Sequence, residues 1–244
     1  MYIAIVGGSP GTGKTLQSLS FPPPLLSLDL ENRQNLVIER HFKERDDIKV
    51  VNCLETYPKG HKQQYYVDAL TTLGRVRSEI RGIITKEVKP ATLVIDGISQ
   101  LREYAVDEWL VVQKAAGKNR KSPENAGDWG KINDIVRGIV FPIVNYCRVK
   151  DINLVLTCGT KDKYRDREVV GSELQVKDWV SYNVDYIYWL KANTNDEYLV
   201  ECHKSPNGRG SEMVSGKTIV GFPPSKEVKL VPLKEKEAES KSME

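Results

Sequence analysis

Residues 8 to 15 read Gly-Ser-Pro-Gly-Thr-Gly-Lys-Thr, the full G-x-x-x-x-G-K-[ST] spacing. The chemistry this pattern suits is capture of a polyphosphate. Gly8, Gly11 and Gly13 let successive backbone N–H groups turn inward around an anion without a Cβ in the way, and Ser9, Pro10 and Thr12 complete the loop. A helix starting near Gly13 adds the positive end of its dipole. Lys14 then reaches the β- and γ-phosphates, and the Thr15 hydroxyl ligates Mg²⁺. Two acids extend the set. Asp96 ends the apolar run "TLVID", where a carboxylate can serve the metal; its alternative is to cap the next helix across the tight turn that Gly97 suggests. In many P-loop families an acid directly follows that aspartate, but here Gly97 stands there. The candidate base is therefore Glu31 in "LLSLDLEN", two residues beyond Asp29 and projecting past the strand end. Its alternative is a solvated loop carboxylate.

These groups work together only if strands and helices present them. Tyr2 to Val6 form an apolar run of the kind buried on both faces of a parallel sheet. The helix after the loop stops near Ser20, because Pro22, Pro23 and Pro24 cannot continue it. Further strands are expected at 25–30, 48–52, 92–96, 153–158 and 185–190, the last pairing with 197–204 in a hairpin. Apolar Tyr66, Ala69, Leu70, Leu73, Val76, Ile80, Ile83 and Ile84 recur at three-four spacing and predict a helix over 62–86. A second helix passes through Leu101 and Val112. After the polar break at 117–127 a third begins, with Asp128 as its N-cap and a kink at Pro142. The alternation predicts an α/β fold, a mainly parallel sheet flanked by helices with antiparallel hairpin strands at the C-terminal edge. Residues 1–222 form the core and 223–244 a charged tail.

At 244 residues, 40% hydrophobic and 28% charged, the composition is that of an ordinary globular protein. No stretch approaches the roughly 20 apolar residues of a membrane helix, and "MYIAIV" is too short and lacks the basic lead of a signal peptide. No membrane partner and a cytoplasmic location are expected. Cys53, Cys147, Cys158 and Cys202 are scattered, without a C-x-x-C pair, so structural thiols are expected rather than a metal site. The net charge of +3, from 36 basic and 33 acidic residues, permits nucleic-acid binding without arguing for it.

A P-loop on the first strand, a glutamate at the tip of the second and Asp96 on a core strand together resemble the RecA-like ATPases. The proline-ended first helix, "LLSLDLEN", "DWGKIND" and "NLVLTC" look more closely like the minimal, RadB-sized RecA relatives of phages and archaeal viruses, which are implicated in single-strand annealing. The resemblance spans roughly residues 1 to 222. It implies a RecA-like P-loop NTPase core that hydrolyses ATP with Mg²⁺, with Glu31 as the catalytic glutamate beside Lys14. "NLVLTCGTK" resembles the strand that ends in a polar γ-phosphate sensor; Gly159 stands at that place, which leaves Thr160 or Lys161 to substitute. "TKDKYRDREVVG" takes the position of a DNA-contacting loop. It offers Lys161, Lys163, Arg165 and Arg167 to phosphates and Tyr164 to a base, although with Asp162, Asp166 and Glu168 it reads equally as a solvated charged loop. "GKNRK" at 117–121 resembles a second such loop. Lys204 and Arg209, around a Pro-Asn-Gly turn, match a basic pair that reaches the γ-phosphate of a neighbouring subunit; the alternative is ordinary surface.

The resemblance thus implies a homo-oligomer, a ring or short filament, with single-stranded DNA as ligand, a single-strand-binding protein as further partner, and the host cytoplasm as location if the gene is viral. The first strand starts at residue 2 with no DNA-binding domain or linker strand before it, so filaments of the strand-exchange type are not expected. The leading function is a Mg²⁺-dependent ATPase acting on single-stranded DNA in recombination, annealing or replication. The rivals are a clock-like nucleotide switch acting on protein partners, which the low net charge favours, and a packaging or unwinding motor, for whose coupling domains the chain has no room.

Overall fold

Alternation along three neighbouring strands decides the layers. Ile3 and Ile5, Leu93 and Ile95, and Leu154 and Leu156 fall on one side, while Val6, Val94 and Val155 fall on the other; all are buried. Strands apolar on both faces bury both under helices. The computed structural model describes residues 1–59, 64–165, 168–192, 198–204, 213–216, 218–220 and 227–229.

The chain runs β1 (Ile3–Gly8), α1 (Lys14–Leu19), β2 (Leu25–Asp29), α2 (Gln34–His41), β3 (Ile48–Asn52), β4 (Thr56–Lys59), β5 (Gln64–Val67) and α3 (Ala69–Thr85). It continues through β6 (Thr92–Asp96), α4 (Ile98–Ala115), α5 (Ala126–Lys150), β7 (Asn153–Cys158), β8 (Thr160–Arg165), β9 (Glu168–Leu174) and α6 (Asp178–Tyr182). The remaining elements are β10 (Tyr186–Ala192), β11 (Tyr198–Lys204), β12 (Met213–Gly216), β13 (Thr218–Val220) and β14 (Glu227–Lys229). The main sheet has eight strands in the order β12-β11-β10-β1-β7-β6-β2-β3. The six from β10 to β3 are parallel, and β11 and β12 add an antiparallel edge. This is the α/β, mainly parallel architecture of a P-loop NTPase. Residues of α3, α4 and α5 pack against the face carrying Ile3 and Ile5, and those of α1 and α2 against the face carrying Val6. Each fully buried Leu or Ile contributes about 2 kcal/mol of apolar burial, so the two faces are where the stability resides.

Four local expectations are corrected. The first strand runs on to Gly8, two residues into the glycine-rich stretch. The helix predicted over 62–86 begins at Ala69; Gln64–Val67 pairs instead with Thr56–Lys59 as a β-hairpin, and Tyr66 and Leu70 are exposed. Tyr-Tyr-Val favours a strand, and Asp68 fixes the start by accepting from the Thr71 N–H at 3.0 Å. The N-cap of α5 is Asn125, which accepts from the Asp128 N–H at 3.0 Å, whereas buried Asp128 accepts from Arg120 at 2.7 Å and ties the 117–125 loop to the helix. Finally, the stretch expected as a loop at 160–171 is largely the hairpin β8–β9, with a register shift between Lys163 and Tyr164. No helix among the described residues is long and apolar enough to cross a membrane.

Two glycines should respond oppositely to alanine. A Cβ on Gly8 would sit 2.5 Å from the Leu190 carbonyl oxygen, backbone that cannot step aside, so Gly8→Ala is expected to lose about 2 kcal/mol in urea unfolding. Gly74, exposed in mid-α3 with nothing within 4 Å, should gain about 1 kcal/mol as alanine.

Candidate functional site

The parallel register brings the carboxyl ends of four strands level. Gly7 pairs with Cys158, Ile95 with Leu156, and Asp96 with Asp29. Between β1 and α1 the backbone turns through left-handed Gly11 (φ 80) and Gly13 (φ 82), which glycine adopts without strain. Gly13 starts α1 with no side-chain cap, so the first N–H groups remain for an anion. Thr12 Oγ1 and Lys14 Nζ both donate to the Ser9 carbonyl, at 2.8 and 2.9 Å, which folds Lys14 back across the loop. Burial lowers the pKa of the Lys14 ammonium, while Glu31 and Asp96 act on it in the opposite sense.

The alternation that sends Val94 and Val155 toward α1 sends Asp96 and Thr157 to the same side. Asp96 is 3% exposed, and three neutral donors hold it. Thr15 Oγ1 and Gln34 Nε2 donate to Oδ2 at 3.0 and 3.1 Å, and the Thr157 hydroxyl donates to Oδ1. The Gly97 N–H in turn donates to Thr157 Oγ1 at 2.8 Å. Burial raises the pKa of the Asp96 carboxyl above its ordinary 3.8, and the three hydrogen bonds only partly offset it.

Glu31 faces the same cleft as Lys14, Thr15 and Asp96. Gly97 is the reason it fits. It is left-handed (φ 97), and a Cβ there would lie 3.1 Å from Glu31 Cγ, so the residue after Asp96 yields its space to the glutamate from the neighbouring strand. Burial raises the pKa of Glu31, Asp96 raises it further, and Arg33, 3.8 Å away, lowers it. Asp29 does something else. Its carboxylate is buried and accepts four backbone N–H groups, of Glu31, Asn32, Arg33 and Gln34, at 2.8–2.9 Å. It therefore builds the turn that carries Glu31 and starts α2.

Sequence reasoning missed Thr157, Gln34 and Gln175. The signal for Thr157 was a lone hydroxyl in the apolar run "NLVLTC", two positions after a residue facing α1. Gln34 is fully buried, and nothing local in the sequence marks it. At the sensor position, the Gln175 Oε1 lies 3.3 Å from where a Gly159 Cβ would be, so an amide from beyond β9 fills the space beside β7. Thr160 Oγ1 sits 3.1 Å from Ser9 Oγ on the P-loop, whereas Lys161 pairs with Glu173 at 2.8 Å on the adjacent strand.

The remaining predicted residues stand apart. Lys163 is exposed on β8, and the backbones of Tyr164 and Arg165 belong to the same strand; Arg167 lies outside the described residues. Lys204 pairs in register with Ile187, which is level with Ile5 and not with the loop end of β1. Its ammonium donates to the carbonyls of Ser181 and Val184 at 2.8 and 2.6 Å, a cation set at the C-terminus of α6 within its own chain. Arg209 lies outside the described residues. The thiols of Cys53, Cys147 and Cys158 are buried, and burial pushes each up to about 12, so they are packing groups.

A glycine loop between a buried strand and a helix, with an aspartate two strands away and a glutamate beyond it, defines a P-loop nucleoside triphosphatase. The chain belongs to the AAA domain family, whose model matches residues 2–221. No curated protein matches it. Family membership makes it an ATPase of the P-loop class.

Two substitutions test the geometry. The raised pKa means that the folded state holds a proton on Asp96 more tightly than the unfolded chain does. The charge penalty is present at neutral pH and fades as pH falls through the folded-state value. Asp96→Asn should therefore raise the Tm of the nucleotide-free protein at pH 7 by about 3 °C, a gain that shrinks toward acid in calorimetry, while turnover is lost. Asp29→Ala strands four N–H groups and should cost about 3 kcal/mol in urea unfolding.

Proposed function

We propose that this protein is a Mg²⁺-dependent ATPase with a RecA-like core that binds single-stranded DNA in recombination, annealing or replication, working as a homo-oligomer. The observation that carries the catalytic half is the meeting of Lys14, Asp96 and Glu31 in one cleft, with Gly97 opened to admit the glutamate.

The residues fit a magnesium ion. Thr15 Oγ1 and Asp96 Oδ2 are oxygen ligands 3.0 Å apart, and among the described residues the buried carboxylate has no cationic hydrogen-bond partner. Magnesium needs only one or two protein oxygens besides phosphates and waters. When bound, the ion supplies charge neutralisation at the β- and γ-phosphate oxygens. Thr15 and Asp96 would hold it, and Gln34 and Thr157 would fix the orientation of Asp96. Lys14, released from the Ser9 carbonyl, meets the charge that develops on the phosphoryl oxygens. Glu31 orients the attacking water and accepts its proton, and its raised pKa makes it a stronger base than a surface glutamate.

The DNA half rests on the β8–β9 hairpin, whose two feet stand on the P-loop. Thr160 touches Ser9, and Leu174 covers Gly7 so closely that a Cβ there would meet its Cδ2 at 2.3 Å. Exposed Lys161 and Lys163 on that hairpin offer phosphate contacts that nucleotide state can move. With Lys204 engaged inside its own chain, a cation acting on a neighbour's phosphate would be Arg209.

The purified protein should hydrolyse ATP, and oligo-dT at stated low salt should raise the rate. Lys14→Ala should abolish nucleotide binding; Glu31→Gln should keep binding and cut kcat by at least about 100-fold. The acid limb of kcat/KM should lie above 4.5, the ordinary glutamate value, and disappear in Glu31→Gln. Normal turnover with no oligo-dT binding would remove the DNA reading and leave a nucleotide switch acting on protein partners.

A further inference from the structure

We propose that Arg33 is a further catalytic residue, acting on the nucleotide bound by its own chain. Its guanidinium leaves Glu31 for the γ-phosphoryl oxygens and meets the charge that develops there during hydrolysis. The inference rests on the catalytic reading of Lys14 and Glu31 above and supplies a cation that reading lacks.

The chemistry sets the need. Water attacks the γ-phosphorus and its proton passes to Glu31, while the bond to the bridging oxygen breaks with its electron pair staying on ADP. Charge spreads over the phosphoryl oxygens in flight, and an arginine that meets it is worth about 10³-fold or more in turnover. Lys204 is engaged with the carbonyls of Ser181 and Val184, and Lys161 with Glu173.

Among the described residues the cations lining the nucleotide cleft are Lys14, Arg33, Arg40 and His41. Arg40 and His41 close the last turn of α2, about 10 Å of helix rise beyond Arg33 at its start. Arg33 is the one beside the candidate base. Its Nη1 stands 3.8 Å from Glu31 Oε2, whereas Glu39, also on α2 and lining the cleft, forms no ion pair with it. The charge of Arg33 lowers the pKa of Lys14 as well as that of Glu31, so it reaches the phosphate loop.

Root and tip of this residue are held differently. Its backbone N–H donates to Asp29 Oδ2 at 2.9 Å, one of the four bonds of the turn that also carries Glu31. The side chain is 70% exposed, and its guanidinium makes no hydrogen bond among the described residues. At 3.8 Å the contact with Glu31 is too long to hold the glutamate in place, so orienting the base is not its role. An exposed ion pair of that kind is worth little and yields readily to a phosphate. The planar fork of five N–H donors suits phosphoryl oxygens. Because Arg33 and Glu31 share one turn, the arginine serves the same cleft as the base.

The test compares wild type with Arg33→Gln and Arg33→Lys in ATP turnover and in capture of fluorescent ADP by aluminium fluoride. Glutamine keeps the N–H that Asp29 accepts. Arg33→Gln should lower kcat by about 100-fold or more with KM within about threefold of wild type, and Arg33→Lys should recover part of the loss. Wild type should trap ADP with Mg²⁺ and aluminium fluoride, which stands in for the phosphoryl group in transfer. Arg33→Gln should bind ADP as tightly and fail to trap it. Mixing Arg33→Gln with Glu31→Gln chains should restore no turnover; recovery would put the arginine on a neighbour's nucleotide and overturn the assignment. Unchanged turnover and trapping in Arg33→Gln overturn the inference and leave the Lys14–Glu31 reading standing. A loss of ADP affinity as large as the loss of kcat overturns it too, since that is ground-state binding alone. A wild type that does not hydrolyse ATP removes the catalytic reading and this inference together.

Discussion

A carboxylate held in the interior by neutral donors is the constraint on which the site depends. Asp96 is delivered to the sheet end by a strand apolar on both faces, and among the described residues its side chain accepts from Thr15, Gln34 and Thr157 and from no cation. That arrangement costs stability in the nucleotide-free protein, because burial disfavours the ionised form. On the proposed reading the same cost favours a metal ion, since a cation entering beside Thr15 would gain more from a charge that the protein has desolvated than from one that water already screens. Each donor belongs to a different element, α1, α2 and β7, so the geometry around Asp96 reports on the packing of three elements at once.

Strand order converts this constraint into a reaction geometry. β7 lies between β1 and β6, so Thr157 reaches Asp96 from the strand next to the P-loop strand, and the chain leaving β7 passes directly over the glycine loop. The hairpin that follows stands on Ser9 and Gly7. On the other flank, Asp29 gathers four N–H groups into one turn, and that turn sets Glu31 against Gly97. The glutamate and the aspartate thus come from adjacent strands and meet only because the residue between them has no side chain.

Much of this was legible in the chain itself, for physical reasons. A phosphate loop needs its glycines contiguous, so its whole signal lies within eight residues. Strands buried on both faces are continuous apolar runs, and β2, β6 and β7 were found close to their true ends because glycine, proline or charge bounds them. The β4–β5 hairpin was hidden because Tyr66 and Leu70 happen to continue the periodicity of α3, although both face water. The hairpin at β8–β9 reads as a loop in the sequence because the charged run of β8 carries no apolar face to mark a strand.

The residues around the site divide along the same line. Gly8 to Thr15 and Asp96 announce themselves by local spacing, since backbone conformation and strand termination are local properties, and the glycine after Asp96 made Glu31 the acid to look for. The sequence alone therefore determined the phosphate loop, the two acids and the layered α/β class. Only the folded chain decided that Thr157 and Gln34 orient Asp96, that Asp29 is scaffold while Glu31 faces the cleft, and that Gln175 fills the place beside Gly159. The contacts to Asp96 join residues some 60 positions apart, Gln175 meets Gly159 across a hairpin, and the role of Asp29 turns on burial, a property of the assembled layers that no short stretch of the chain carries.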